Sequence, residues 1–193
     1  MLNKNGYTSV LFEPGHDGVL NARKRNIKYI YNGIFNREII NDNTVPNIGL
    51  FDVLEHIDQD ELFLNELNQL LANDGLLYIT VPAYQFLFSE EDTRARHFRR
   101  YNYKDLKNKM VRANFTILFS SYFFWFLPLP VLLFRKLFKF NTKKSNGREK
   151  GHIFPNIIDK NLKFVLSFEI GMIKRKRIIP FGGSLLIVAG KNQ

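Results

Sequence analysis

Two carboxylates and an imidazole lie within five residues, at Asp52, Glu55 and His56, and these side chains can move protons or bind cations. The uncharged run before them, 48–51, is typical of a strand buried in a parallel sheet. A helix is predicted directly afterwards, over 58–71, because a good N-cap residue precedes apolar residues at helical spacing. Open α/β sheets bind ligands at such strand ends, so we expect the functional site here.

Another acid, Glu13, follows a short predicted strand at 9–12 and precedes a turn formed by Pro14 and Gly15. In dinucleotide-binding folds an acid at the end of a strand binds the ribose hydroxyls of the cofactor. The alternative is that Glu13 only caps the helix predicted over 17–24. We favour the ribose role.

A second strand is predicted over 27–31, and a turn at Gly33 follows it. The next two residues, Ile34 and Phe35, form an apolar pair just past the strand end. Such a pair could pack on the base of a nucleoside, or it could simply cover the core. The sequence leaves both alternatives open.

The remaining elements alternate between strand and helix. This order predicts a sheet, mostly parallel, with helices on its faces, in a single domain over 1–193. The predictions are a strand over 76–81, a helix over 103–112, a strand at about 115–122 and a terminal strand over 180–189.

The segment 83–100 is too charged for a core and too aromatic for a plain linker. It could be a substrate lid over the strand ends. The alternative is a solvated loop with internal salt bridges.

The net charge of +10 favours an acidic partner, such as nucleic acid, anionic lipid or a phosphate-bearing substrate, although a basic solvated surface explains the charge equally well. The chain has no Cys, which excludes a disulfide framework and a thiolate metal site. The first residues lack the apolar region of a signal peptide, so we expect a cytoplasmic protein.

An uncharged stretch over 113–134 is long enough to span a bilayer, but Pro128 and Pro130 would break the helix. We predict instead an aromatic and basic insertion over 123–150, containing a short amphipathic helix at 131–140. Apolar anchors beside Lys and Arg suit an anionic membrane surface, which predicts peripheral binding at the inner face of the membrane. The alternative is a helix packed on the domain with a mobile basic tail.

Three stretches resemble the class I S-adenosylmethionine-dependent methyltransferases, in the small-molecule branch (methyltransferase types 11 and 12). They are Phe-Asp-Val-Leu-Glu-His-Ile at 51–57, the run from Leu-Leu-Ala-Asn-Asp-Gly to Val-Pro-Ala at 70–83, and His-Phe-Arg-Arg-Tyr at 97–101. Weaker matches follow at 113–115 and 180–186. The order and spacing of these pieces carry the resemblance, which runs from about residue 9 to residue 189.

The resemblance implies S-adenosylmethionine as cofactor and assigns roles to the residues singled out above. The cofactor-binding residues would be Glu13, Pro14 and Gly15 at the ribose, Gly33, Ile34 and Phe35 at the adenine, and Asp52, Leu54 and Glu55 along the methyl-transfer cleft. Tyr84, His97, Arg100 and Tyr101 would face the acceptor, with His56, His97 and Tyr101 as catalytic residues. Some relatives hold a metal at the position of Asp52, Glu55 and His56, but most need none, and we expect none here.

The family's first strand and its glycine-rich turn have no counterpart in the sequence before Glu13. The expected fold is therefore an α/β, Rossmann-like methyltransferase sheet of order 3-2-(1)-4-5-7-6, with the last strand antiparallel and the first, central strand missing or replaced. Three explanations stay open: an N-terminally truncated chain, direct pairing of the flanking strands, or a strand supplied by another chain.

The predicted function is methyl transfer from S-adenosylmethionine to a small, lipid-linked or sugar-linked acceptor. The alternative is a catalytically impaired remnant of that fold that binds a membrane surface or a partner, and a homo-oligomer is compatible with both. Nucleic acid is the weakest candidate partner, because the basic run at 174–177 comes without a recognition motif.

Overall fold

The computed structural model describes residues 5–128 and 156–192, except for the side chains of 156–162. The chain divides into two compact units, an N-terminal unit of Met1–Asn41 and a C-terminal unit of Asp42–Gln193. Within the described ranges it forms six strands and five α-helices.

The N-terminal unit is a strand–helix–strand motif. Strand β1 (Val10–Phe12) pairs in parallel with β2 (Tyr29–Tyr31), and α1 (His16–Lys24) connects them. Val19 and Ala22 are the buried residues of α1, three positions apart on one face of the helix. The unit therefore has the parallel arrangement that alternating elements predict.

The C-terminal unit contains a four-stranded sheet of order β3-β4-β6-β5. Strands β3 and β4 are parallel, whereas β6 runs antiparallel to both of its neighbours. This order matches the predicted 4-5-7-6 part of the methyltransferase sheet with its antiparallel last strand, so the predicted fold is confirmed. The strands are β3 (Val45–Phe51), β4 (Leu71–Pro82), β5 (Phe115–Phe123) and β6 (Ser184–Lys191).

The core of the C-terminal unit lies on the two central strands of this sheet. Burial alternates along β4, where Leu77, Ile79 and Val81 are fully buried, because side chains of a strand point to opposite faces in turn. Ile79 lies opposite Ile187 of β6, which is also fully buried. The helices of this unit are α2 (Asp60–Leu70), α3 (Glu90–Arg94), α4 (Tyr103–Arg112) and α5 (Asn156–Lys174).

The boundary between α2 and β4 differs from the sequence prediction. The helix predicted over 58–71 ends at Leu70, close to its predicted end, but β4 begins at Leu71 and not at residue 76. The reason is that Leu71 pairs with Val45 of β3, so the residues between the helix and residue 76 belong to the strand.

Helix α5 has no counterpart in the sequence predictions, and a buried acid attaches it to the sheet. Both carboxylate oxygens of Glu169 accept hydrogen bonds from backbone amides just after β5, those of Phe124 (3.1 Å) and Trp125 (2.8 Å). The turn after β5 is therefore tied to α5.

The strands form two sheets, with β1 paired to β2 and β3 paired to β4. Most of the predicted insertion over 123–150, including its amphipathic helix, lies outside the described residues. Among the helices of the described ranges, none combines the length and the apolar character needed to cross a bilayer.

Candidate active site

The carboxyl end of β3 turns sharply at Asp52. This residue has a φ of 54°, in the left-handed region that non-glycine residues seldom adopt. Its backbone N–H donates to the Thr80 carbonyl (3.0 Å), and the Thr80 hydroxyl donates to its carboxylate (3.3 Å), so β4 holds the strained turn in place. Strain of this kind concentrates at functional sites.

Glu55 follows within a 3-10 turn, Leu54–His56, and its side chain is fully buried. Among the described residues neither carboxylate oxygen has a hydrogen-bond partner. Burial raises the pKa of Glu55 from 4.5 to about 7, and the charge of Asp52 adds to the rise, while the electrostatic effect of the adjacent backbone and the charge of Arg100 oppose it. Glu55 is therefore an acid that exchanges its proton near neutral pH.

His97 is oriented by a buried carboxylate, Asp92. The Nδ1 atom of His97 lies 2.9 Å from Asp92 Oδ1, and Arg100 Nε donates to the same oxygen at 2.8 Å. The Ser89 backbone N–H donates to the other oxygen at 2.8 Å. Although burial would raise the pKa of Asp92, hydrogen bonds from Arg100, His97 and Ser89 lower it, so this carboxylate stays ionised.

A backbone hydrogen bond brings His97 to the end of β3. The Phe98 N–H donates to the Glu55 carbonyl at 2.8 Å. The imidazole rings of His56 and His97 then meet edge to face, with centroids 4.6 Å apart. One ligand atom from each of Glu55, His56 and His97 lies within 4.8 Å of the other two. We call these three residues the acid–histidine cluster.

Tyr101 lies in the core rather than at the surface of the site. It is 1% exposed, and its hydroxyl donates to Asp60 Oδ2 at 2.7 Å. Lys109 Nζ and Arg99 Nη1 also contact the Asp60 carboxylate, at 2.6 Å and 2.8 Å. These contacts favour a structural role for Tyr101, as an anchor of the His97 segment, over its predicted catalytic role.

Leu54, predicted to contact the cofactor, is also fully buried in the C-terminal unit. Tyr84, predicted to face the acceptor, adopts a φ of 60° and stacks on Tyr122 (5.2 Å between centroids) and on Phe181 (5.1 Å). Burial and a hydrogen bond to Tyr122 raise the Tyr84 pKa. Tyr84 is thus part of an aromatic stack just past the end of β4.

The segment 85–100 is ordered by its ion pairs. It contains a 3-10 turn, Gln85–Leu87, and helix α3, and its Asp92 is 2% exposed. Of the two sequence alternatives, internal salt bridges are present, but they close around a buried acid rather than in a solvated loop. The lid role of this segment stays a prediction.

In the N-terminal unit, Glu13 lies at the carboxyl end of β1. Its Oε1 accepts a hydrogen bond from the backbone N–H of Gly15 (2.8 Å), which is the N-cap residue of α1. A Cβ atom at Gly18 would lie 2.3 Å from the Glu13 carboxyl carbon, so a larger residue there would require the Glu13 side chain to move. The capping alternative explains the Oε1 contact, whereas no described residue donates a hydrogen bond to Oε2.

The other residues predicted to bind the cofactor follow β2. Gly33 N–H donates to the Glu13 carbonyl at 3.2 Å, which joins the two strand ends. Ile34 is 78% exposed, whereas Phe35 packs edge-on against Phe12 with centroids 5.5 Å apart. Of the apolar pair, therefore, Phe35 covers the core of this unit and Ile34 faces solvent.

The sequence analysis did not predict that two acids of the site region, Asp60 and Asp92, are buried. A signal for Asp92 exists, since Ser89 and Asp92 form a capping box at the start of α3. For Asp60 the sequence shows only an acid in the first turn of a helix, which does not indicate burial.

No protein-family model matches the chain, and no curated protein matches it in sequence. Solved structures match it in fold. An S-adenosylmethionine-dependent methyltransferase from Archaeoglobus fulgidus aligns with a TM-score of 0.60 at 13% identity, over 98% of this chain and 78% of that one. The complex between the Haloferax volcanii Trm112 methyltransferase activator and a protein described as a methyltransferase aligns with a TM-score of 0.58 at 13% identity, over 94% and 71%.

The [4+2]-cyclase SpnF is similar as well, with a TM-score of 0.54 at 14% identity, over 95% of this chain and 67% of that one. Likeness at such low identity concerns the fold, and one fold can carry different reactions. The sheet order and these neighbours agree: the chain has the fold of the class I S-adenosylmethionine-dependent methyltransferases.

Proposed function

We propose that this chain is an S-adenosylmethionine-dependent methyltransferase that acts on a small, lipid-linked or sugar-linked acceptor. The observation that supports it most is the acid–histidine cluster, which lies at the carboxyl end of β3 on a sheet with methyltransferase strand order. Ligands of open α/β sheets bind at that end of the strands.

For the cofactor, we propose that Glu13 accepts hydrogen bonds from the ribose hydroxyls, with Pro14 and Gly15 shaping the turn. The Oε2 atom supports this role, since no described residue donates to it. Ile34, with Gly33 and Phe35 beside it, would contact the adenine, and its 78% exposure leaves its side chain available. Asp52, Leu54 and Glu55 would line the methyl-transfer cleft, where Leu54 contributes only as a buried support.

When bound, S-adenosylmethionine supplies a methyl group on a sulfonium, ready for in-line displacement. The chain's own task is to align the acceptor and to exclude water. Two exposed phenylalanines are next to residues of the site in sequence, Phe51 beside Asp52 and Phe98 beside His97, at 62% and 52% exposure. They are suited to cover an acceptor.

For a hydroxyl acceptor, we propose His97 or His56 as the group that takes up its proton. As the acceptor oxygen bonds to the methyl carbon, the carbon–sulfur bond breaks and its electron pair leaves with the thioether product. The Nδ1–H of His97 is directed at Asp92, which leaves Nε2 as a proton acceptor. The ionised Asp92 then stabilises the imidazolium.

Isothermal titration of the chain with S-adenosylmethionine tests the proposal. We expect binding that Glu13→Ala weakens at least about tenfold, the value of one lost pair of charged hydrogen bonds. Glu38→Ala is the matched control, because Glu38 is an exposed acid of the same unit. Absence of binding, or equal loss in both variants, would contradict the cofactor assignment.

We propose, as a second function, binding to an anionic membrane surface through α5, because its last residue and the three that follow, 174–177, are basic and exposed. Phe164 and Phe168 lie one helical turn apart and are 77% and 63% exposed. Co-sedimentation with vesicles rich in phosphatidylserine should fall when both are changed to Ser. Leu62→Ser, at a 59% exposed position of α2, is the control. Equal sedimentation of all three proteins would argue against this function.

A further inference from the structure

The acid–histidine cluster has the donor set of a transition-metal site. It offers one carboxylate oxygen and two imidazole nitrogens from Glu55, His56 and His97, with these atoms within 4.8 Å of one another. Two histidines and one carboxylate are the protein ligands of several catalytic zinc sites and of mononuclear iron sites that keep open positions.

The Glu55 carboxylate supplies a second, independent indication. It is fully buried, and neither of its oxygens has a partner among the described residues. An unpaired buried polar group is costly, and native structures seldom keep one without a water, an ion or a functional reason. A cation beside His56 and His97 would satisfy this carboxylate.

The state of His97 also fits a metal ligand. Its Nδ1–H donates to Asp92, at 2.9 Å, so the Nε2 atom presents a lone pair. Metal-binding histidines nearly always donate their other ring N–H to a carboxylate or carbonyl in this way, which fixes the tautomer and the ring orientation. Asp92 is itself held by Arg100 and Ser89, so His97 is oriented before any ligand binds.

The spacing of the cluster requires a small closure. Ligand atoms about 2.1 Å from a tetrahedral ion lie about 3.4 Å apart, somewhat closer than the 4.8 Å limit of the cluster. His56 is exposed, so its side chain can rotate inward at little cost, whereas Glu55 is fixed by burial. Three protein ligands leave a fourth position for water or substrate.

We propose that Glu55, His56 and His97 bind one divalent transition-metal ion, with Zn²⁺ as the preferred ion and Asp92 as the residue that positions His97. Two nitrogen ligands disfavour Mg²⁺, which requires octahedral oxygen coordination. The family resemblance implied a metal-free site, with Asp52 as the third ligand in those relatives that hold a metal. The structure brings His97 to that place instead.

Metal binding does not depend on methyl transfer and can be measured without the cofactor. If the proposed function also holds, the open position would take an oxygen of the acceptor, and the metal would make its hydroxyl proton easier to remove. His56 and His97 would then act as ligands rather than as proton acceptors, since the same lone pairs cannot do both.

The experiment is a titration of the full chain, stripped with chelator and dialysed, with Zn²⁺ and separately with Mg²⁺. We expect one Zn²⁺ per chain and no saturable binding of Mg²⁺. Co²⁺ should give visible absorption bands of a low-symmetry site, and Zn²⁺ should abolish them. His56→Ala and Glu55→Gln should each weaken Zn²⁺ affinity by about 100-fold or more, because each removes one of three ligands.

His16→Ala is the matched control, because His16 is an exposed histidine in α1 and should leave Zn²⁺ affinity unchanged. His56→Ala alters an exposed side chain and Glu55→Gln keeps the shape of the residue, so both variants should fold, which circular dichroism verifies. Unspecific binding of Zn²⁺ to a protein surface is taken to have a dissociation constant of about 10 mM. The proposal is overturned if the dissociation constant of Zn²⁺ for the stripped chain is not at least about 100-fold lower than that. Unchanged affinity in both cluster variants would overturn it equally.

Discussion

Replacing Asp60 by Ala should destabilise the C-terminal unit more than any other single loss of charge that we consider. The Asp60 side chain is 4% exposed and contacts Lys109 Nζ, Arg99 Nη1 and the Tyr101 hydroxyl. Asp60 begins α2, Lys109 belongs to α4, and the other two residues follow His97. One carboxylate therefore ties three parts of the unit together.

The magnitude follows from what the substitution leaves behind. Removing one partner of a fully buried ion pair costs about 3–5 kcal/mol. Here the cations keep access to water, at 20% exposure for Lys109 and 26% for Arg99, which reduces the cost to about 2 kcal/mol. The buried Tyr101 hydroxyl also loses its acceptor, which adds about 1 kcal/mol. We therefore expect a loss of about 3 kcal/mol in the free energy of unfolding.

Urea denaturation at pH 7, followed by far-ultraviolet circular dichroism, measures this loss. Asp58→Ala is the matched control, since Asp58 pairs with the same Arg99 but its side chain is 70% exposed. It should cost less than about 0.5 kcal/mol. A difference of less than about 1 kcal/mol between the two variants would refute the reasoning.

The stability difference between the wild-type chain and Asp60→Ala should depend on pH. Burial would raise the pKa of Asp60, but hydrogen bonds from Lys109, Tyr101 and Arg99 lower it below its ordinary value of 3.8. A lowered folded-state pKa gives stability that is complete above the unfolded-state value and is lost as the pH falls through the folded-state value. The advantage of the wild-type chain over Asp60→Ala should thus shrink below about pH 4. An advantage that grows in acid would contradict the assigned pairing.

Two further predictions concern stability. Gly182→Ala should cost about 2 kcal/mol in urea denaturation, because its Cβ would lie 2.2 Å from the Phe123 carbonyl oxygen. By contrast, Gly171→Ala should raise the free energy of unfolding by up to about 1 kcal/mol, because Gly171 lies in α5 and its Cβ would meet no atom within 4 Å. Equal effects of the two substitutions would count against the close approach of Gly182 to Phe123. With chelator present, Glu55→Gln should be more stable than the wild-type chain by about 3 kcal/mol at pH 8 but not at pH 4.5. The reason is that the Glu55 pKa is raised from 4.5 to about 7, so the wild-type chain loses stability as the pH rises through this range. A difference that does not change with pH would argue against the burial effect.

The sequence predicts the elements best where their pattern is long and regular. The helix at 103–112 and the strand at 115–122 appear almost as predicted, as α4 and β5, because each has one period and clear limits. The predicted start of β4 at residue 76 was wrong, because Asn73–Gly75 has the composition of a turn. The pairing of Leu71 with Val45 decides that boundary, and local composition does not contain it.

The location of the site could be predicted from the sequence more easily than the contacts between its side chains. The rule that ligands bind at the carboxyl ends of strands located Asp52, Glu55 and His56. It could not show that Asp60 is buried, because its partner Lys109 lies 49 residues away in the chain. Nor could it assign Tyr101 to the core, since a tyrosine suits a site and a core equally.

The buried Asp92 has a consequence for how such a protein can diversify. Its ties to Ser89, His97 and Arg100 all fall within twelve consecutive residues. Because Asp92 fixes the internal geometry of this loop, while Phe98 and Arg99 attach it to Glu55 and Asp60, its path does not depend on its exposed side chains. Substitutions at exposed positions such as Arg94, at 77% exposure, therefore change the surface of 89–100 and leave His97 in place.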